Sequence, residues 1–206
     1  MTHPQLLIAT YNRGKLLELR ELLRELEFEL LDLHSFPSTR VVAETGSTFA
    51  ENATLKARGY ARQTGLMTLA DDSGLEVRAL GGLPGVQTAR YAGDGASDAE
   101  RIEKLLFELS QSTRTDRTAQ FVSTIAIADR DGLILNLVNG VCVGEIAEAP
   151  RGSNGFGYDP IFIPAGFDAT FAELSAEVKN QISHRAQALK QAAEFLRSLT
   201  VRSRAG

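Results

Sequence analysis

The sequence predicts an α/β protein, on three observations. The chain opens as a short apolar run, a polar glycine-containing loop and a helix-patterned stretch. A second helical stretch then leads into a central apolar run. Two long β-like runs follow, and the chain closes with helical sequence. Its 206 residues fit one domain, and they show no internal repeat and no linker.

The first strand is Leu6-Leu7-Ile8-Ala9. It meets the polar loop Thr10-Tyr11-Asn12-Arg13-Gly14-Lys15. Leu16, Leu19, Leu23 and Leu26 then recur at helical spacing, so a helix starts at the end of the loop. Strand, glycine-containing loop and helix form a layout that can cradle phosphate, because a helix N-terminus presents free N–H groups. Lys15 adds a cation, and Thr10 and Asn12 add short polar side chains. The loop is not a Walker A motif, since Leu16 stands where a Ser or Thr is needed. The plainer alternative is a strand–helix turn with a solvated lysine.

Phe28 to Leu33 reads as a second strand. Further on, Thr48 and Glu51 form a capping box that opens a helix, which Gly65 ends. The box accounts for Glu51 and leaves Glu44 without a structural role. Phe49, Ala53, Lys56 and Tyr60 share one face of this helix. Lys56 is unusual on such a stripe, although a long lysine often snorkels to solvent.

The central stretch runs from Met67 to Val77. Its apolar start predicts a strand that ends at Asp71-Asp72-Ser73-Gly74. Two acids at a strand end can hold Mg2+, but Asp-Ser-Gly is also common turn chemistry. Leu75, Val77 and Ala79 then alternate with polar residues as in a further strand. Gly81 to Gly85 is a turn-rich loop. Ser97 and Glu100 make a second capping box, before a helix that buries Ile102, Leu105, Leu106 and Leu109. Ala119–Ala128 and Leu133–Val143 are β-like runs joined through Asp131-Gly132, a strong hairpin signal.

Gly155-Phe156-Gly157-Tyr158-Asp159-Pro160 places two aromatics in a glycine-rich loop. Such a ring can stack on a nucleobase, or it can be a stray aromatic on a floppy loop. Glu177–Ile182 should be a short helix. Ser183 can cap another, with Ala186, Leu189, Ala193 and Leu196 buried. His184 and Arg185 then lie in its first turn, where the helix dipole disfavours cations, so an anionic or polar partner is expected nearby. Residues 198–206 read as a disordered tail.

A net charge of −4 and a pI near 5.5 argue against a nucleic-acid-binding surface. The single cysteine, Cys142, lies in an apolar run and reads as a core residue. A disulfide within the chain is impossible, and no apolar run is long enough to span a membrane. The N-terminus lacks the layout of a signal peptide. A cytoplasmic protein without membrane or nucleic-acid partners is expected.

Taken together, several separated motifs resemble those of the non-canonical purine nucleoside triphosphate pyrophosphatases, the inosine/xanthosine triphosphate pyrophosphatase family. They are Thr10-x-Asn12-x-x-Lys15, Glu44-Thr45-Gly46, Glu51-Asn52-Ala53 with Lys56, Ala70-Asp71-Asp72-Ser73-Gly74-Leu75, Leu83-Pro84-Gly85 with Ala89-Arg90-Tyr91, Gly155 to Pro160, and Ser183-His184-Arg185. Each is weak alone, and their order over residues 6–197 is specific. Tyr11 stands where smaller residues are common.

The resemblance implies an elongated mixed β-sheet flanked by helices, with two lobes around a central substrate cleft. It implies hydrolysis of inosine, deoxyinosine and xanthosine triphosphates to the monophosphate and pyrophosphate, with Mg2+ as cofactor, in a homodimer that clears the nucleotide pool. It implies that Thr10, Tyr11, Asn12, Arg13, Gly14 and Lys15 hold the triphosphate. Glu44 and Asp72 would be the metal ligands, with Asp72 also the base toward water. Lys56 and Ser73 would contact phosphate. Phe156, Gly157, Tyr158, Asp159, Lys179, His184 and Arg185 would form the base pocket. Two other classes compete: a related pyrophosphatase for modified pyrimidine or methylated nucleotides, and a non-catalytic nucleotide-binding module.

Overall fold

The computed structural model describes residues 3–204. Six strands form one mixed sheet: β1 (Gln5–Ile8), β2 (Glu29–Asp32), β3 (Met67–Val77), β4 (Thr118–Ala128), β5 (Ile134–Ile146) and β6 (Phe162–Pro164). Their order is β2-β1-β3-β4-β5-β6. β1 pairs in parallel with β2 and β3, while β5 and β6 are antiparallel. The helices are α1 (Arg13–Leu23), α2 (Phe49–Thr64), α3 (Asp98–Gln111), α4 (Ala176–Ile182) and α5 (His184–Arg204).

The chain divides into two compact units. One comprises the chain up to Asp72, Ser123–Gly140 and the chain from Arg185 on; the other comprises Ser73–Val122 and Val141–His184. β3, β4 and β5 each run from one unit into the other.

In the first unit the sheet has apolar side chains on both faces. Leu6, Ile8, Leu69, Ile125 and Ile127 pack against Leu16, Leu19 and Leu23 of α1 and against Leu189, Ala192 and Leu196 of α5. Leu7, Ala9, Ala70, Ala126 and Ala128 point the other way, onto Ala53, Ala57 and Tyr60 of α2. Successive strand residues face opposite sides, so a sheet covered by helices on both faces reads as a continuous apolar run. The second unit has its own core of Leu75, Val77, Ile102, Leu105, Phe121, Tyr158, Phe162 and Phe171.

The predicted helix starts are largely as read. Asn12, Thr48 and Ser97 each accept a backbone N–H of the first turn. Ser97 and Glu100 complete a reciprocal capping box. Glu51 differs: its carboxylate takes the backbone N–H and the hydroxyl of Ser47. The hairpin turn closes through Asp129, whose carboxylate accepts the N–H of Asp131 and of Leu133. Gly132 there has φ +85°, a conformation open to glycine without strain.

Three expectations change. β3 does not end at Asp71 but continues through Asp71-Asp72-Ser73-Gly74 to Val77, because its polar side chains find buried partners. α1 stops at Leu23, and Leu26 is buried beyond the helix end. α5 extends to Arg204, so residues 198–204 are helical where a disordered tail was expected; Ala205 and Gly206 lie outside the described residues.

Cys142 is buried on β5, and burial pushes its thiol up to about 11. The thiolate is the reactive form. Cys142 should therefore resist iodoacetamide at pH 8 in the folded protein and react within minutes in denaturant, as followed by mass spectrometry.

Candidate active site

Asp71 and Asp72 are consecutive residues of β3, so their side chains leave opposite faces of the strand. Both are buried. A buried carboxylate is costly unless it is paired, and each is met by a lysine from a different helix.

Lys15 Nζ lies 2.8 Å from Asp71 Oδ2. The local geometry explains why. β1 lies beside β3 with Ile8 opposite Leu69, and the N–H of Ala9 bonds to the Leu69 carbonyl at 2.8 Å. The loop after β1 therefore begins level with the residues just before Asp71. Asn12 caps α1 by accepting the Lys15 N–H at 2.9 Å, and Thr10 Oγ1 accepts the Asn12 N–H at 3.1 Å. These bonds fix the backbone from which Lys15 extends. Gly14 lies in the first turn of α1, and Arg13 there is exposed. Tyr11 is 47% exposed and meets the rings of His34 and Tyr60 edge-on.

Asp71 has two further partners. Ser123 Oγ donates to Asp71 Oδ1 at 2.5 Å, and Arg185 Nε lies 3.7 Å from Oδ2. Arg185 also donates to Glu18, one turn along α1 from Lys15. Burial opposes the charge on Asp71, but Lys15 and Arg185 outweigh it and hold the carboxyl far below its ordinary range. Burial lowers the pKa of Lys15, with Asp71 opposing and Lys56 and Arg185 adding to the fall.

On the other face, Lys56 Nζ lies 2.7 Å from Asp72 Oδ1 and 3.0 Å from Glu44 Oε1. Burial works against the ammonium of Lys56, yet Asp72 and Glu44 together raise its pKa. Burial raises the pKa of Asp72, and Lys56 and Lys15 only partly offset it. Asp72 is thus the less firmly ionised of the two acids. Ser73, the next residue, is half-buried on β3.

Strand alternation separates Asp71 from Asp72, and it is Glu44 and Asp72 that converge on one cation, the ammonium of Lys56. Mg2+ is commonly held by one or two carboxylates, with water and substrate phosphates completing its shell. Among the described residues no group of three or more His, Cys, Asp or Glu side chains gathers, so an ion here would take its other ligands from outside the chain. The charges fit the same reading. These ion pairs gather three cations (Lys15, Lys56, Arg185) and four carboxylates (Asp71, Asp72, Glu44, Glu18). With every group ionised, a polyanion meets no net positive field unless a cation accompanies it.

The second unit holds another cluster. The N–H of Phe156 donates to Asp159 Oδ2 at 2.8 Å, and Lys179 Nζ donates to the same oxygen at 2.5 Å. Lys179 lies over the Phe156 ring, 5.0 Å from its centroid. Gly157 takes a left-handed turn at φ +63° and donates its N–H to Asp98 at 2.7 Å. Tyr158 is buried, with its hydroxyl on the Thr88 carbonyl, and so anchors the loop in the core. His184 stacks on Phe121 with ring centroids 4.7 Å apart.

The structure thus brings together Lys15, Lys56, Glu44, Asp72 and Arg185 in one unit. In the other it brings together Phe156, Asp159 and Lys179. Arg185 pairs with Asp71 and Glu18. Sequence reasoning missed Asp71, Glu18 and Asp98 as partners. Strand alternation could have flagged Asp71, and the three-residue spacing from Lys15 could have flagged Glu18. Asp98 was hidden behind its place in a helix start.

Fold and site define an α/β protein whose sheet carries paired lysines and carboxylates. Residues 6–195 match the Ham1 family, and the chain belongs to that family. It is 49% identical over 193 residues to the dITP/XTP pyrophosphatase of Coxiella burnetii (strain RSA 493 / Nine Mile phase I), covering 93% of this chain and 96% of that one. It is 51% identical over 185 residues to the dITP/XTP pyrophosphatase of Geobacillus kaustophilus (strain HTA426), covering 90% of each. Among solved structures, a HAM1 protein from Coxiella burnetii superposes with a TM-score of 0.87 at 48% identity, over 95% of this chain and 99% of that one. The Staphylococcus aureus Ham1 protein does so with 0.83 at 43%, over 94% and 98%.

Replacing Asp71 by Asn leaves Lys15 and Arg185 buried without their shared counter-charge. Breaking a buried pair in this way costs about 3–5 kcal/mol, so Asp71→Asn should lose that much stability at pH 7 in urea unfolding. The pKa of Asp71 lies below its ordinary value of 3.8 in the folded state. Its contribution is therefore complete above about pH 4 and is lost as the pH falls further. The gap between wild type and Asp71→Asn should narrow below pH 4.

Proposed function

We propose that this protein hydrolyses the triphosphates of inosine, deoxyinosine and xanthosine to the monophosphate and pyrophosphate, and so removes them from the nucleotide pool. The observation that carries this reading is the arrangement around β3, where Asp72 and Glu44 share Lys56 while Asp71 fixes Lys15. The kinship with proteins named dITP/XTP pyrophosphatases supplies the substrate class.

The chemistry asks for positioning and electrostatics, with no covalent nucleophile. Lys15, held by Asp71 and by the Asn12 cap, and Lys56, held between two acids, bind phosphate oxygens and steady the charge that moves onto the leaving pyrophosphate. Ser73 adds a hydroxyl, and the Thr10–Lys15 loop adds backbone N–H groups at the start of α1. Asp72 accepts the proton of the attacking water. Its raised pKa suits it to that role better than the firmly ionised Asp71. Glu44 and Asp72 would hold Mg2+, which neutralises phosphate charge when bound. Mg2+ dependence, a homodimer and a cytoplasmic location belong to this proposal; no helix among the described residues is long and apolar enough to cross a membrane.

Phe156 supplies a stacking face for the base. The ammonium of Lys179 beside it carries donors and no acceptor atom, which suits a 6-oxo purine and not the 6-amino group of adenine.

A panel of nucleoside triphosphates tests the reading. ITP, dITP and XTP should release pyrophosphate with kcat/KM far above that for ATP or GTP. Comparable values for ATP and ITP would overturn the base assignment, and release of orthophosphate would overturn the reaction class. Phe156→Ala should weaken binding of all purine substrates by about ten- to a hundredfold, the worth of one base–aromatic stack. A loss confined to one base would mean an edge contact.

A further inference from the structure

Glu44 belongs to an irregular segment that is bonded to α2 along its length. Residues 39–46 carry no regular secondary structure. Every second residue from Arg40 to Gly46 is nonetheless tied to a side chain on one face of α2. Gln63 both accepts the Arg40 N–H at 2.7 Å and donates to the Arg40 carbonyl at 3.1 Å. The Tyr60 hydroxyl accepts the Val42 N–H at 3.2 Å. Lys56 pairs with Glu44, and Asn52 Oδ1 accepts the Gly46 N–H at 2.8 Å. The intervening residues Val41, Ala43 and Thr45 are exposed.

This is a ladder between an irregular segment and a helix: its rungs fall at every second residue of the segment and at every third or fourth residue of α2, the spacing of one helix face. The fit is tight at one rung. A Cβ on Gly59 would lie 2.6 Å from Val42 Cγ2, so only glycine lets Val42 sit flush against α2.

Tyr60 is the rung that reaches furthest. It is buried, its hydroxyl holds the backbone two residues before Glu44, and its ring meets that of Tyr11 edge-on at 6.3 Å. Tyr11 lies in the Thr10–Lys15 loop, and its hydroxyl is 3.4 Å from Thr39 Oγ1 at the start of the ladder. We propose that Tyr60 is a positioning residue: through the Val42 N–H it fixes the register of the segment on α2 and so sets Glu44 opposite Asp72 for the shared cation. The inference rests on the reading of Glu44 and Asp72 as the Mg2+ ligands.

Tyr60→Phe keeps the ring and removes only the hydroxyl. Gly59→Ala keeps the hydroxyl and pushes on Val42. Two readouts are needed, amide hydrogen exchange of residues 40–46 without metal, and the Mg2+ dependence of ITP hydrolysis. In Tyr60→Phe the Val42 amide should exchange about five- to tenfold faster, the loss of one hydrogen bond. Half-saturation by Mg2+ should rise roughly tenfold, as for other residues that orient a metal ligand. Turnover at saturating Mg2+ and the KM for ITP should stay within about twofold of wild type, because the phosphate-binding lysines are untouched. Gly59→Ala should shift both readouts in the same direction.

Unchanged exchange at Val42 in Tyr60→Phe would overturn the ladder. Faster exchange with unchanged Mg2+ dependence would overturn the positioning role, provided that Glu44→Gln shifts that dependence. If Glu44→Gln itself leaves the Mg2+ dependence unchanged, the metal assignment fails and the positioning role fails with it, while faster exchange in Tyr60→Phe would still uphold the ladder.

Discussion

The geometry of the site follows from two carboxylates standing side by side on a buried strand. Strand geometry sends Asp71 and Asp72 to opposite faces, and each must find a cation or remain neutral. The pairing of β1 with β3 sets the end of β1 beside Asp71 and aims α1 so that Lys15 reaches it. α2 covers the other face and supplies Lys56 to Asp72. Both helices pack by ordinary apolar stripes, so the core and the charged site are placed by the same two elements. The site is thereby held by the core itself.

The two acids then diverge in character. Asp71 is fully buried among Lys15, Arg185 and Ser123, which stabilise its charge. Asp72 shares Lys56 with Glu44 and remains closer to neutrality. A group held so firmly as Asp71 makes a poor proton acceptor and a good anchor; one whose ionised form is less stabilised makes the better base. The proposed division of labour follows from their surroundings, since the residues are chemically identical.

Much of this was legible in the sequence. The apolar stripes of α1, α2, α3 and α5, the caps at Thr48 and Ser97, and the Asp-Gly hairpin are local signals, and they led to the right elements. Lys56 and Glu44 stood out because neither had a structural role, and they meet in the structure. The end of β3 was misread because Asp-Asp-Ser-Gly is turn-like by composition. What keeps it extended is nonlocal: Lys15, Lys56 and Ser123 come from distant parts of the chain to satisfy its polar side chains. The partners of Arg185 were hidden for the same reason. The ladder on α2 has no local periodic signal, since its rungs pair a two-residue repeat with a helical one.

The central claim is that Asp72 is the chemical member of the pair and not a support for the fold. Asp72→Asn tests it most directly, with turnover of ITP at saturating Mg2+ measured beside the melting temperature. Lys56 keeps Glu44 as a partner in this variant, and a costly buried charge is removed. The account predicts a loss of several orders of magnitude in turnover with a melting temperature close to that of wild type. Retention of more than about a tenth of wild-type turnover, a barrier change of only ~1.4 kcal/mol, would contradict it.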